Sequence, residues 1–180
     1  MMLLLSVLFT AQVDASPPQF LTPPRGWSAL YGAPFNAVNE TIVRKAAAAL
    51  NSSGLLTFGY DYVNLDDWYV TGRDTDGELQ VDKLTFPSGM PDLGEYIHSQ
   101  GCKFGVYSSG SLQTCGSRPA SMFNEARDAN TYANEWKIDY LKNDACTYQV
   151  GVTQRARYFA MGRALNRTGL SFTNPYYISF

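Results

Sequence analysis

Three segments of this chain share one design, an apolar and β-prone run that ends on a cluster of polar side chains. Tyr60-Asp61-Tyr62-Val63-Asn64-Leu65 runs into Asp66-Asp67, and Lys103-Phe104-Gly105-Val106-Tyr107 runs into Ser108-Ser109-Gly110. Ile138-Asp139-Tyr140-Leu141 runs into Lys142-Asn143-Asp144-Ala145-Cys146. Aromatic and β-branched residues give each run strand propensity, and a helical pattern follows each one. Strand, polar loop and helix recurring at roughly forty-residue intervals describe a parallel α/β series. Such a series gathers its ligands at the carboxyl ends of its strands. The third terminus, with a lysine, an acid and a cysteine so close together, is therefore the first place to look for chemistry.

The rest of the chain reads as connections around those strands. Proline keeps Ser16-Pro17-Pro18-Gln19-Phe20-Leu21-Thr22-Pro23-Pro24 from being helical, and Gly26-Trp27-Ser28 reads as a first short strand. A helix is expected from Glu40 to about Ser53: Asn39 suits an N-cap, Ile42, Val43, Ala46, Ala47 and Leu50 form one apolar face, and Gly54 stops it. A long loop with a turn at Arg73-Asp74-Thr75-Asp76-Gly77 follows the second strand. Phe86-Pro87-Ser88-Gly89 then leads into a helix from Met90 to Gln100 with Leu93, Tyr96 and Ile97 inward. Further helical patterns cover Phe123 to Glu135 and Gln149 to Asn166, and a fifth strand is expected near Leu170-Ser171-Phe172.

With 45% hydrophobic and 14% aromatic residues, the chain carries enough apolar material for a substantial core. A formal charge of −2 and scattered Lys and Arg exclude a nucleic-acid binder, which needs a basic patch to meet phosphates. The apolar run Met1 to Ala11 is too short to span a bilayer, and small or polar residues follow it to Ala15. Residues 1–15 thus read as a secretory signal and 16–180 as a secreted, extracellular chain with no membrane partner. Disulfides persist in that compartment, and Cys115 and Cys146, both just past predicted strand ends, are the natural pair. Closing that loop would stabilise the fold by about 3–4 kcal/mol in the chain-entropy view. Cys102, directly before a strand, reads as a buried free thiol. With one histidine, His98, which reads as a surface residue, and no Cys-x-x-Cys, neither a metal nor another cofactor is expected. Sequons at Asn39, Asn51 and Asn166 are candidate glycosylation sites.

The blocks "GWSALYG", "GYDYVNLDDW", "FPSGMPDLGEYIHSQGCKFGVYS", "TCGSRPAS" and "DYLKNDAC" resemble, in order and spacing, the strand-end blocks of glycoside hydrolase family 27, the melibiase-type α-galactosidases. The resemblance spans Pro24 to Gly169. It implies a (β/α)8 TIM barrel that cleaves terminal α-D-galactosyl residues with retention, with only the first four to five βα units present here. It implies Asp144 as the catalytic nucleophile and Lys142, Asp66, Asp67 and Tyr107 as sugar-binding residues. Cys115 and Cys146 fall on a disulfide beside the pocket. The second catalytic acid has no candidate in this sequence, so the chain by itself is expected to be inactive.

The residues support that chemistry in their own right. A retaining glycosidase needs one carboxylate beneath the anomeric carbon and a second carboxyl about 5–5.5 Å away. Asp144 suits the first role, and Lys142, two residues earlier on the same strand face, brings a cation to it and a donor for a sugar hydroxyl. Asp66 and Asp67 suit vicinal hydroxyls. Trp27, Trp68 and Tyr107 offer flat apolar faces to a sugar ring. The chain departs from the family pattern at Leu30-Tyr31, where Trp-Asn is usual. It departs again at Asp66-Asp67-Trp68, where a cysteine usually precedes the tryptophan, and its usual partner near Pro34 is missing too. Asn143 and Ala145 replace the usual neighbours of the nucleophile. Alternatives within the framework are α-N-acetylgalactosaminide or β-L-arabinopyranoside specificity. Outside it stands a degenerate carbohydrate-binding relative without catalysis.

Overall fold

The structure, a computed structural model, describes residues 24–32, 37–147 and 151–169. The expected signal at 1–15 and the strand near Leu170 lie outside the described residues. In chain order the first elements are β1 (Arg25–Ser28), α1 (Ala29–Gly32), α2 (Glu40–Ser52), a 3-10 turn (Leu55–Phe58) and β2 (Tyr60–Asn64). They are followed by β3 (Val70–Arg73), β4 (Leu79–Val81), α3 (Met90–Ser99) and β5 (Lys103–Ser109). Then come α4 (Glu125–Asn130), a π turn (Thr131–Glu135), β6 (Tyr140–Asp144) and α5 (Gln154–Arg167).

The strands β1, β2, β5 and β6 form one parallel sheet in that order, as the recurring strand, loop and helix pattern requires. Helices α2 and α3 pack on β2 and β5 and on each other. Val43, Ala47 and Leu50 of α2 and Leu93 and Ile97 of α3 meet Val63, Phe104 and Val106 in the main core. The ends of α2 behave as the sequence indicates: the Asn39 side chain accepts from the Ile42 amide at 3.0 Å, and Gly54 follows at φ +77°. No described helix is long and apolar enough to cross a membrane.

Three connections differ from the sequence reading. The long loop after β2 contains an antiparallel hairpin, β3 paired with β4, whose turn is the Arg73–Gly77 segment. Its anchor is distant in sequence. The Arg73 guanidinium grips the buried Asp128 carboxylate with two bonds of 2.7 Å and donates to Ala120 O at 2.9 Å. The helix expected from Phe123 starts only at Glu125, because Phe123 sits at φ +67°, and its last turn opens into the π turn. That widened turn accompanies the burial of Tyr132 against Trp136, with ring centroids 5.3 Å apart. The helix expected from Gln149 begins at Gln154, capped by Thr153, whose hydroxyl accepts from the Ala156 amide at 3.2 Å.

Candidate active site

Partners in a parallel sheet share a face, so the observed register sorts every strand residue. Val63 pairs with Phe104 on the helix-covered side, while Asn64, Gly105 and Tyr140 lie in one row on the opposite side. Tyr107 with Lys142 and Ser109 with Asp144 continue that row towards the carboxyl ends. The alternation therefore brings Tyr107, Lys142 and Asp144 to one side, and the turn after β2 adds Asp66 and Asp67.

Lys142 donates to Asp66 Oδ2 at 2.8 Å, and its ammonium stands 4.8 Å from the centre of the Tyr107 ring. Tyr107 donates its phenol hydrogen to Asp144 Oδ2 at 3.3 Å and lies 3.1 Å from Cys146 Sγ. Burial first, then the neighbouring Asp144 and Asp67 carboxylates, push the Tyr107 phenol far above its usual range, which keeps it neutral and a donor. The other Asp144 oxygen accepts from the Ala145 amide at 2.7 Å. Cys115 and Cys146 are joined in a disulfide across a Cα–Cα distance of 4.9 Å, and Cys115 Sγ lies 3.9 Å from Asp144 Oδ2. The two sulfurs and Asp144 form a cluster of potential metal ligands, but the covalent bond between the sulfurs leaves no thiolate to bind an ion.

The two acids after β2 occupy different environments. Asp66 is ion-paired with Lys142, whereas Asp67 accepts from the Trp68 amide at 2.8 Å, the Thr114 hydroxyl at 2.8 Å and the Gly116 amide at 2.6 Å. Asp67 thereby orders the loop that carries Cys115. Thr114 and Gly116 escaped the sequence reading, because a loop threonine or glycine carries no signal until its partner is known. Gly116 has no room for a side chain: a Cβ would stand 2.7 Å from Trp68 Nε1 and 2.8 Å from Asp67 Oδ2.

Trp27 is not part of this group. It pairs with Val63, on the helix side of the sheet, and packs against the main core, so it offers no face to a ligand beside Asp144. Trp68 is next to the acids at φ +79°, with the Arg118 guanidinium 4.6 Å from its ring centre, so one of its faces is already covered. His98 is exposed, as read from the sequence, and its Nε2 lies 2.8 Å from Asp139 Oδ2 at the opposite end of the sheet. Among the sequon residues, Asn51 and Asn166 are exposed and Asn39 is the cap of α2.

The family described as alpha galactosidase A, of the Melibiase_2 type, matches residues 31–178. The chain belongs to this family. It is 43% identical over 152 residues to an alpha-galactosidase of Cyamopsis tetragonoloba, covering 82% of this chain and 36% of that protein. It is 44% identical over 151 residues to alpha-galactosidase 3 of Arabidopsis thaliana, covering 83% and 34%. Among solved structures, alpha-galactosidase I from Mortierella vinacea superposes with a TM-score of 0.79 at 39% identity, covering 87% of this chain and 40% of that one. The Saccharomyces cerevisiae enzyme with raffinose superposes with a TM-score of 0.78 at 37% identity, covering 86% and 35%. The chain thus spans about a third of the length of the curated relatives it matches.

Proposed function

We propose that this chain supplies the nucleophile half of the active site of a secreted, retaining α-galactosidase, its sheet forming the first strands of a (β/α)8 barrel. The observation that carries the reading is Asp144. This carboxylate ends β6 on the same face as Tyr107 and Lys142, in a chain of the α-galactosidase family. One Asp144 oxygen attacks the anomeric carbon of a terminal α-galactosyl unit, and the glycosidic C–O bond breaks as the leaving oxygen takes a proton from a second carboxyl group. Water, deprotonated by that same group, then cleaves the glycosyl ester and returns the carboxylate. Neither described acid nearby is free for the second role, since Asp66 is ion-paired and Asp67 already has three donors. The acid/base therefore comes from elsewhere in the barrel. Raffinose, the ligand of the yeast structure, carries the terminal α-galactosyl group that this site would take.

The test is covalent labelling of a full-length, active protein that contains this segment. A fluorinated galactosyl fluoride should leave its sugar on the Asp144 peptide, and Asp144→Asn should lose several orders of magnitude in turnover of an aryl α-galactoside. A label on another carboxylate, or near-normal turnover by Asp144→Asn, would refute the assignment.

A further inference from the structure

We infer that Arg157 is a positioning residue for the Asp144 strand end, a role that rests on Asp144 being the nucleophile. Arg157 lies in the first turn of α5 and is only 6% exposed. Among the described residues no carboxylate pairs with it. A buried guanidinium without a counter-charge is costly, and each hydrogen bond it donates offsets part of that cost. Among the described residues the hydrogen bonds of the guanidinium leave from one nitrogen: Nη1 offers its two hydrogens to Ser111 Oγ at 2.8 Å, Thr147 O at 2.9 Å and Gly110 O at 3.3 Å, while Nε is buried without a partner. Gly110 and Ser111 follow β5, and Thr147 follows β6, so the cation bridges the two loops between which Asp144 is held.

Those loops are already tied at Asp144 itself. Its carbonyl oxygen accepts from the Gly110 amide at 2.8 Å and the Ser109 hydroxyl at 3.1 Å. Ser111 and Thr147 exchange two bonds of 3.2 Å, and the Cys146 amide donates to Ser109 Oγ at 3.3 Å. Arg157 locks this ladder from behind. Gly110 leaves the space for it, since a Cβ there would stand 3.0 Å from Arg157 Cβ and 3.7 Å from Asp144 O. The disulfide and Tyr107 hold the carboxylate end of Asp144, and Arg157 holds its backbone end. Loss of the cation lets the backbone of residues 144–147 shift while the sheet stays paired. A nucleophile displaced by about 1 Å can lose on the order of a hundredfold in rate with little change in substrate binding.

The test uses the full-length, active protein containing this segment, with kinetics expressed per active site titrated by the covalent inhibitor, so that a lower folded fraction does not count. Arg157→Met should lower kcat by about ten- to a hundredfold and change KM by less than about threefold. Arg157→Lys should recover most of that kcat, because a lysine ammonium also offers several donors from one nitrogen. Should the methionine variant not fold, Ser111→Ala removes the shortest of the three contacts and should lower kcat several-fold on the same basis. Unchanged kcat per titrated site in Arg157→Met or Ser111→Ala, or a lysine variant no better than methionine, overturns the proposal. A parallel Asp144→Asn separates the two ideas: if it is inactive while Arg157→Met is normal, only the role of Arg157 falls. If it retains turnover, the nucleophile reading itself falls.

Discussion

Lys142 reaches across the sheet to Asp66, Nζ to Oδ2 at 2.8 Å, and makes no hydrogen bond to Asp144. The cation that the sequence places two residues before Asp144 thus serves first to fix the acid at the end of β2. Both side chains are mostly buried, at 19% and 11% exposure, so each depends on the other for its charge balance. A sugar hydroxyl entering here would meet a donor and an acceptor already oriented.

That pairing predicts coupled kinetics in the full-length protein. Asp66→Asn and Lys142→Met should each raise KM and lower kcat, because contacts remote from the reacting bond also stabilise the transition state. The double variant should be less damaged than the product of the singles, with an interaction of about 0.5–3 kcal/mol. Measuring kcat/KM for the four proteins decides it, and strictly additive losses would contradict the pair.

Gly105 predicts a stability effect away from the chemistry. A Cβ there would meet Asn64 Oδ1 at 1.9 Å and the Tyr140 ring at 2.9 Å, in the middle of the sheet. Gly105→Ala should therefore destabilise the protein by about 1–3 kcal/mol, read from urea unfolding. A neutral result would mean that Asn64 turns aside at little expense.

The His98 contact predicts a pH dependence of defined sign. The hydrogen bond to Asp139, opposed by burial and by Lys137 and aided by the Asp139 charge, raises the His98 pKa. A group whose folded pKa is raised contributes stability that is fully present below its unfolded value, near 6.5. That contribution is lost as pH rises through the folded value. The melting-temperature difference between the native protein and His98→Gln should therefore be larger near about pH 5.5 than near about pH 8.5. A difference that grows in the alkaline direction would rule the contact out.

The thiol inventory gives a fourth expectation. Non-reducing peptide maps should show Cys115 joined to Cys146. Cys102 is buried and its thiol is pushed up by that burial, so it should alkylate only after unfolding. Rapid modification of native Cys102, or its appearance in a cross-linked peptide, would show a different packing of the segment before β5.

The strand ends were legible in the sequence because apolar runs and the polar residues after them are local signals. The phase of the alternation was not, and this is why Trp27 read as a sugar platform: which face a strand residue takes is fixed by its neighbour, here Val63. The β3–β4 hairpin escaped because its strands have only four and three residues and its anchor, Asp128, is 55 positions from Arg73. Arg157 escaped for the opposite reason, since an arginine in a helical pattern reads as solvated until the loops it bridges are seen.

The shared row of Tyr107, Lys142 and Asp144 also makes correct folding an all-or-none matter for this end of the sheet. A slip of one residue between β5 and β6 would turn the Lys142 and Asp144 side chains together into the helix layer, leaving strand content almost unchanged. A misregistered population would then be spectroscopically near-native yet chemically silent, and its proportion would be counted by the molecules that fail to take a covalent sugar.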